Sequence, residues 1–431
     1  MSSAHPSPDL ASPPGDDPRP ETDNPVPDHR RIGRDLGVFA SDDRCGSGLP
    51  LWLPAGSVIR SEIERFVVDL ERAHGYQHVY TPHLAKRELY ERSGHWAHYR
   101  DDMYPAMAVG SEEAVLRPMN CPHHILVFEA ERPSARELPW RVAELGTMFR
   151  FERSGVVSGL SRVRQMTLND GHVFCLPDQI DTEIASILSM VAEAYRALGL
   201  PAPRHRLSLR GEGAKYVADD DLWARAESVL RSVLDGLGVP YDEAPDEAAF
   251  YGPKIDLQVS DPQGREETLS TVQVDFLLPE RFGLVARAPS GDVRPVMIHR
   301  SIVSTMERMV AHLLEVHGGA LPVWLAPAQV RVLPVVDDAA DHADRVLAAL
   351  RGKGVRARLD DRDATLGARI RAAQQDKVPY VAVVGRNEAS DDTVAVRLRD
   401  GRRLDPMPPE RFADLVAGVA ANRGADLGPA T

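Results

Sequence analysis

Leu138-Pro-Trp-Arg-Val-Ala-Glu-Leu-Gly-Thr-Met-Phe-Arg-Phe-Glu152 is followed, after a short loop, by Arg162-Val-Arg-Gln-Met-Thr-Leu-Asn-Asp-Gly-His-Val-Phe174. Apolar and polar residues alternate closely enough in both segments to predict strands over 138–151 and 162–174. The Gly- and Ser-containing loop 153–159 joins them, which makes an antiparallel pair the natural arrangement. Upstream, Val58, Ile59, Ile63, Phe66, Val67 and Leu70 recur at helical spacing and predict an amphipathic helix over 57–74, ended by Gly75. Residues 76–82 read as a strand that stops at Pro82. Downstream, a helix is predicted over 178–198, strands near 204–209, 249–258 and 268–277, and an apolar helix over 302–317. This order predicts an α+β fold with a mostly antiparallel sheet rather than a βαβ series.

After Leu321-Pro-Val-Trp-Leu-Ala-Pro327 the rhythm changes. Strands at 330–336, 355–359, 380–384 and 393–398 alternate with helices at 339–353, 366–376 and 408–421. That pattern predicts a separate α/β domain of about 100 residues with a parallel or mixed sheet. Residues 1–30 hold eight prolines and almost no aliphatics, the composition of a disordered tail. The expected organisation is a tail over 1–30, a first domain over 31–322 and a second over 326–425.

Three cysteines in 431 residues exclude a disulfide framework and fit a reducing compartment. No stretch reaches the ~18 apolar residues of a membrane span, and no secretory h-region is present, so a cytoplasmic protein with no membrane partner is expected. The net charge of −13 is uneven. Residues 326–431 carry 17 Lys and Arg against 16 Asp and Glu, so the acidic excess lies before them. Charge therefore neither requires nor excludes an RNA partner.

Three motifs carry candidate chemistry. Cys121, His172 and His299 lie in Arg117-Pro-Met-Asn-Cys-Pro-His-His124, Leu168-Asn-Asp-Gly-His172 and Met297-Ile-His-Arg300. A lone Cys or His is more often a packed core residue. If the three converge, they form a borderline-soft set that suits zinc and leaves one coordination position open. The second set is Phe149-Arg-Phe-Glu152 with Arg162-Val-Arg164, which could present guanidinium forks to phosphate or form only a cross-strand salt bridge. The third is Met306-Glu-Arg308, early in the last apolar helix.

With Ser93-Gly-His-Trp96, Ala249-Phe-Tyr-Gly-Pro-Lys254, Thr271-Val-Gln-Val-Asp-Phe276 and Trp324-Leu-Ala-Pro327, these motifs resemble, in order, the class II aminoacyl-tRNA synthetases of the threonyl-tRNA synthetase family. The resemblance runs from about Asp28 to about Ala420. It implies a class II synthetase core, a six- or seven-stranded antiparallel sheet with flanking helices, followed by an α/β anticodon-binding domain. It implies a homodimer closed near Pro82, acting on ATP, threonine and tRNA(Thr), with one Zn²⁺ per subunit and Mg²⁺ accompanying ATP.

Carried over residue by residue, Cys121, His172 and His299 match the metal ligands. Arg150 matches the arginine that holds the α-phosphate and the substrate carboxylate. Glu152 matches the adenine contact, and Arg162 and Arg308 the γ-phosphate pair. Asp170, Tyr251, Lys254, Gln273 and Met119 match the surroundings of the amino acid, Gln273 also counting with the nucleotide site. His95 matches a histidine near the terminal ribose of tRNA. Longer bacterial members resemble this chain plus N-terminal domains, one of which hydrolyses seryl-tRNA. The tail in their place implies no editing in cis and detectable serine mischarging.

Four positions depart from the family pattern. His123 and Ser304 stand where glycine is usual, Phe151 where asparagine is, and Leu168 where glutamine is. Four departures around one pocket imply a reshaped site. That would suit a paralogue serving inhibitor resistance or biosynthetic amino-acid activation, or a non-catalytic tRNA-binding regulator. The full set of Arg150, Glu152, Arg162, Arg308 and the three metal ligands argues instead for an active ligase.

Overall fold

The computed structural model describes residues 28–213, 216–289 and 291–428. The expected tail therefore lies outside the described residues up to position 27. Its last part is corrected: Asp28 caps helix α1 (His29–Asp35) by accepting from the Arg30 and Arg31 amides.

The main helix α2 (Pro54–Ala73) starts with proline in its first turn and ends before Gly75, whose φ is +81°. Its face of Ile59, Ile63, Phe66, Val67 and Leu70 is buried, each such side chain contributing about 1.5–3 kcal/mol. That face belongs to the core behind an eight-stranded sheet. The strands are β1 (Gln77–His78), β2 (Trp140–Phe149), β3 (Gln165–Cys175), β4 (Arg204–Ser208), β5 (Tyr241–Ala244), β6 (Lys254–Ser260), β7 (Glu266–Asp275) and β8 (Val296–Ser301). Their order is β5-β4-β6-β7-β8-β3-β2-β1. The six central strands pair antiparallel, whereas β1 and β5 join their neighbours parallel.

The fold is α+β, with more strands than the six or seven expected. The strands not expected are β5, whose four residues are too short for alternation to show, and β8, which is buried on both faces and so does not alternate; the expected strand over 76–82 is reduced to Gln77–His78. The helix Asp220–Gly236 was also not expected. Its signal was present in Asp219, which caps it, and in buried Trp223, Ala226, Leu230 and Val233.

Register sets the site. Lys254 on β6, Gln273 on β7, His299 on β8 and His172 on β3 lie in one row across the sheet. The next row, Val272, Arg300 and Gly171, faces the helices instead. Helix α3 (Cys121–Glu131) brings Cys121 to the front face from outside the sheet, and helix α4 (Met306–Val316) follows β8 directly.

The C-terminal unit is a five-stranded mixed sheet, with Val330–Pro334 parallel to both Ala357–Leu359 and Tyr380–Val384 and two antiparallel strands beyond. Helices Ala340–Gly352 and Pro409–Ala421 cover one face, and Leu366–Gln375 the other. Arg356 joins it to the first unit by donating to Trp324 O (2.6 Å), Ala326 O (3.0 Å) and Glu62 (2.9 Å). Among the described residues no helix is long and apolar enough to cross a membrane.

Candidate active site

Cys121, His172 and His299 are all buried, and their ligand atoms lie within 4.8 Å of one another. His172 Nε2 and His299 Nδ1 are 2.9 Å apart. The outer nitrogen of each ring is held. His299 Nε2 sits 2.9 Å from Asp275 Oδ2, and His172 Nδ1 sits 2.7 Å from His124 Nδ1, whose Nε2 reaches Glu144 at 3.3 Å.

The carboxylates fix the tautomers. Asp275 accepts from a proton on His299 Nε2, and Glu144 from one on His124 Nε2, so His124 Nδ1 accepts from His172 Nδ1. Two imidazole lone pairs then face each other beside a thiol. That donor set, with carboxylates behind the rings, fits a zinc ion. Burial pushes the Cys121 thiol well up and His172 well down, so the imidazole is neutral, as a ligand must be. Burial would raise Glu144, but bonds from His124, Thr81 and Arg117 outweigh it and hold the carboxyl down at about 2.

A cavity of about 430 Å³ opens in front of the triad. Its wall includes Cys121, His299, Met119, Asp170, Tyr251, Lys254 and Gln273 on one side, and Arg150, Ser304 and Arg308 on the other. The Tyr251 hydroxyl donates to Gln273 Oε1, and Lys254 pairs with buried Asp256. Burial lifts Asp170 to about 7. Thr305 caps α4 by accepting from the Arg308 amide at 3.1 Å, which sets Arg308 in the first turn. One compartment thus joins polar groups suited to a small amphoteric ligand with guanidinium groups suited to phosphate oxygens.

Other expected residues lie outside the cavity wall. Glu152 and Arg162 pair with each other at 2.9 Å, and Arg162 is half exposed. His172 is buried behind Cys121 and His299. His95 is fully buried, with Nδ1 2.7 Å from Ser93 Oγ and its ring edge-on to Phe250 and Tyr251. Burial pulls its pKa down to about 3, so it is a neutral support beneath Tyr251.

The expectation of four departures around one pocket is corrected to two. Leu168 and Ser304 line the cavity. Phe151 points outward against Tyr104, and His123 lines an apolar groove beside Tyr80 and Leu126. Ser304 has a φ of +59°, a left-handed conformation that costs a residue with a Cβ about 1–2 kcal/mol. Ser304→Gly is therefore expected to raise unfolding free energy by about 1 kcal/mol in denaturant titration, and unchanged or lower stability would refute strain at this position.

Asp275, His124, Glu144 and Asp256 are the contributors that sequence reasoning missed. Asp275 was signalled by its two-residue spacing from Gln273, which puts both on one face of β7. His124, on a helix, had no such signal.

The profile of the tRNA synthetase class II core domain (G, H, P, S and T) matches residues 106–317, and that of the anticodon binding domain matches 329–418. The threonine–tRNA ligase of Halalkalibacterium halodurans is 51% identical over 397 residues, 91% of this chain and 62% of that protein. That of Anoxybacillus flavithermus is 50% identical over 90% of this chain and 61% of its own length. The chain thus spans about three fifths of these relatives. A crystal structure of the RNA binding domain of threonyl-tRNA synthetase from Cryptosporidium parvum superimposes with a TM-score of 0.87 at 34% identity, covering 93% of this chain and 99% of that one. A threonyl-tRNA synthetase structure from Aeropyrum pernix gives 0.82 at 26% identity, covering 94% and 99%.

Proposed function

The chain belongs to the threonyl-tRNA synthetase family of class II aminoacyl-tRNA synthetases, and on that premise we propose that it is a threonine–tRNA ligase. Threonine and ATP give threonyl-adenylate and pyrophosphate, and the threonyl group then passes to tRNA(Thr) with release of AMP. The observation that carries this reading is the joining of the Cys121–His172–His299 centre to Arg150 and Arg308 in one cavity.

For adenylation the threonine carboxylate attacks the α-phosphorus in line, and negative charge builds on phosphate oxygens. Positioning and cationic stabilisation are then the main work of the protein. Arg150 bridges the α-phosphate and the carboxylate. Arg308, fixed by the Thr305 cap, and Arg162, released from Glu152, grip the γ-phosphate. Glu152 turns to the adenine amine. Asp170 accepts from the substrate amino group, and Tyr251, Gln273, Lys254 and Met119 close the pocket around the side chain and carboxylate. His95 acts from behind Tyr251 on the ribose side.

Zinc held by Cys121, His172 and His299 would supply ligation of the threonine amino and hydroxyl groups. Mg²⁺ would accompany ATP. On this reading residues 31–322 are the catalytic unit and 326–425 the anticodon-binding unit. On the same reading the protein acts in the cytoplasm as a homodimer, and the groove along Pro82, where Tyr80 is 95% exposed, supports the homodimer. Threonine-dependent ATP–pyrophosphate exchange tests activation, and charging of a tRNA(Thr) transcript tests transfer. Exchange without charging would restrict the function to activation alone.

A further inference from the structure

The turn 158–162, which ends in Arg162, is gripped from three sides. Within it, the Ser161 and Arg162 amides donate to Ser158 O. The Arg308 Nε, on the first turn of α4, donates to Ser161 O at 3.3 Å. The third grip comes from α1, more than a hundred residues earlier in the chain.

His29, the first residue of α1, is 4% exposed. Its backbone amide donates to Glu315 Oε1 at 3.0 Å, and its Nδ1 lies 2.7 Å from the same oxygen. Its Nε2 accepts from the Leu160 amide at 3.2 Å. These partners require the proton on Nδ1, donated to Glu315, and a lone pair on Nε2.

The contact is close. Gly159 has a φ of +48°, and a Cβ there would lie 2.3 Å from His29 Nε2. Leu160 is itself fully buried in the main core. Glu315 and Arg308 belong to the same helix, so α4 holds the turn directly near its N-terminus and through His29 near its C-terminus.

We infer that His29 is a positioning residue for nucleotide binding, setting the 158–162 turn that delivers Arg162. This inference rests on the proposed use of ATP. His29 touches no substrate and is absent from the cavity wall. Its effect travels through one amide, Leu160 N, to an arginine two residues later.

The prediction is selective. His29→Ala is expected to weaken Mg-ATP binding about tenfold by calorimetry, the size of one hydrogen bond that orders a charged group. The KM for ATP in exchange should rise to match, while that for threonine stays within about twofold. His29→Gln, which keeps one donor and one acceptor, should recover part of the loss. Gly159→Ala attacks the same contact from the other side and should give the same signature.

The two substitutions combined should cost less than the sum of the singles, because the added methyl then meets no imidazole. ATP affinity within about twofold of wild type in both single variants would overturn the inference, as would equal weakening toward ATP and threonine. Should His29→Ala fail to fold, Gly159→Ala decides. A wild-type chain that binds ATP without exchange overturns the proposed activity and leaves His29 to the binding comparison. A wild-type chain that binds no ATP overturns both.

Discussion

Cys121→Ala is expected to purify without stoichiometric zinc and to lose threonine-dependent exchange by a factor on the order of 10³ or more. The magnitude follows from what the residue leaves behind. His172 Nε2 and His299 Nδ1 remain as two neutral nitrogens 2.9 Å apart, without the thiolate that completes a three-ligand site. The fold should survive, because Cys121 is a small residue at the start of α3 and the core beside it is built on Ile125, Phe128 and Phe174.

A graded control separates ligand from support. Asp275→Asn keeps the shape behind His299 but loses the charge, and should cost about 10–100-fold in zinc affinity. Metal analysis and exchange rates on the same preparations check both. Full zinc content and full activity in Cys121→Ala would make the residue a packed core thiol, the ordinary fate of a lone cysteine.

Glu71→Ala is expected to destabilise the protein by about 3–5 kcal/mol, because it strands a buried guanidinium. Arg300 and Glu71 are both wholly inaccessible, with Nη1 2.6 Å from Oε1. Glu71 also accepts from Asn169 at 2.7 Å and lies 2.9 Å from His78. The pocket is cut to shape: a Cβ on Gly171 would fall 2.3 Å from Arg300 Cζ, and the guanidinium sits over the Tyr76 ring at 4.2 Å.

Replacing both partners, as in Glu71→Leu with Arg300→Met, should recover most of the loss, since an apolar pair strands no charge. Denaturant titration of the single and double variants measures this. A loss below about 1 kcal/mol in Glu71→Ala would contradict it.

The same pair fixes a pH dependence. Burial alone would raise the Glu71 carboxyl, but Arg300, His78 and Asn169 outweigh it and bring it below its usual value of 4.5. Its stabilisation is therefore complete above about pH 4.5 and is lost as pH falls through the lowered folded value. Acid unfolding of Glu71→Gln should lack that component.

Residues 138–151 were legible as a strand because one face is the more buried and the alternation is long, and 162–174 as its partner through the short loop that joins them, although that strand is buried on both faces over most of its length. The metal triad and most of the pocket were legible through the resemblance that their flanking motifs carry. What stayed hidden depends on direction. Which face Phe151 or His123 presents cannot be read at a strand end or helix start, so exposed Phe151 and His123, buried beside a different groove, were grouped with two departures that line the cavity. The partners of buried groups were also invisible. Arg300–Glu71, His124–His172 and His29–Leu160 join residues 229, 48 and 131 positions apart, and no local pattern links them. His29 fell inside the segment expected to be disordered, although Asp28 just before it is a recognisable helix cap.

ATP–pyrophosphate exchange with threonine, valine and serine tests the central claim most directly. Threonine should support exchange. Valine, which lacks the hydroxyl, should fall about 10⁴-fold below it, and serine, which lacks only a methyl, about 10–200-fold, ranges taken from other aminoacyl-tRNA synthetases. Exchange with none of the three, or valine matching threonine, would contradict the account.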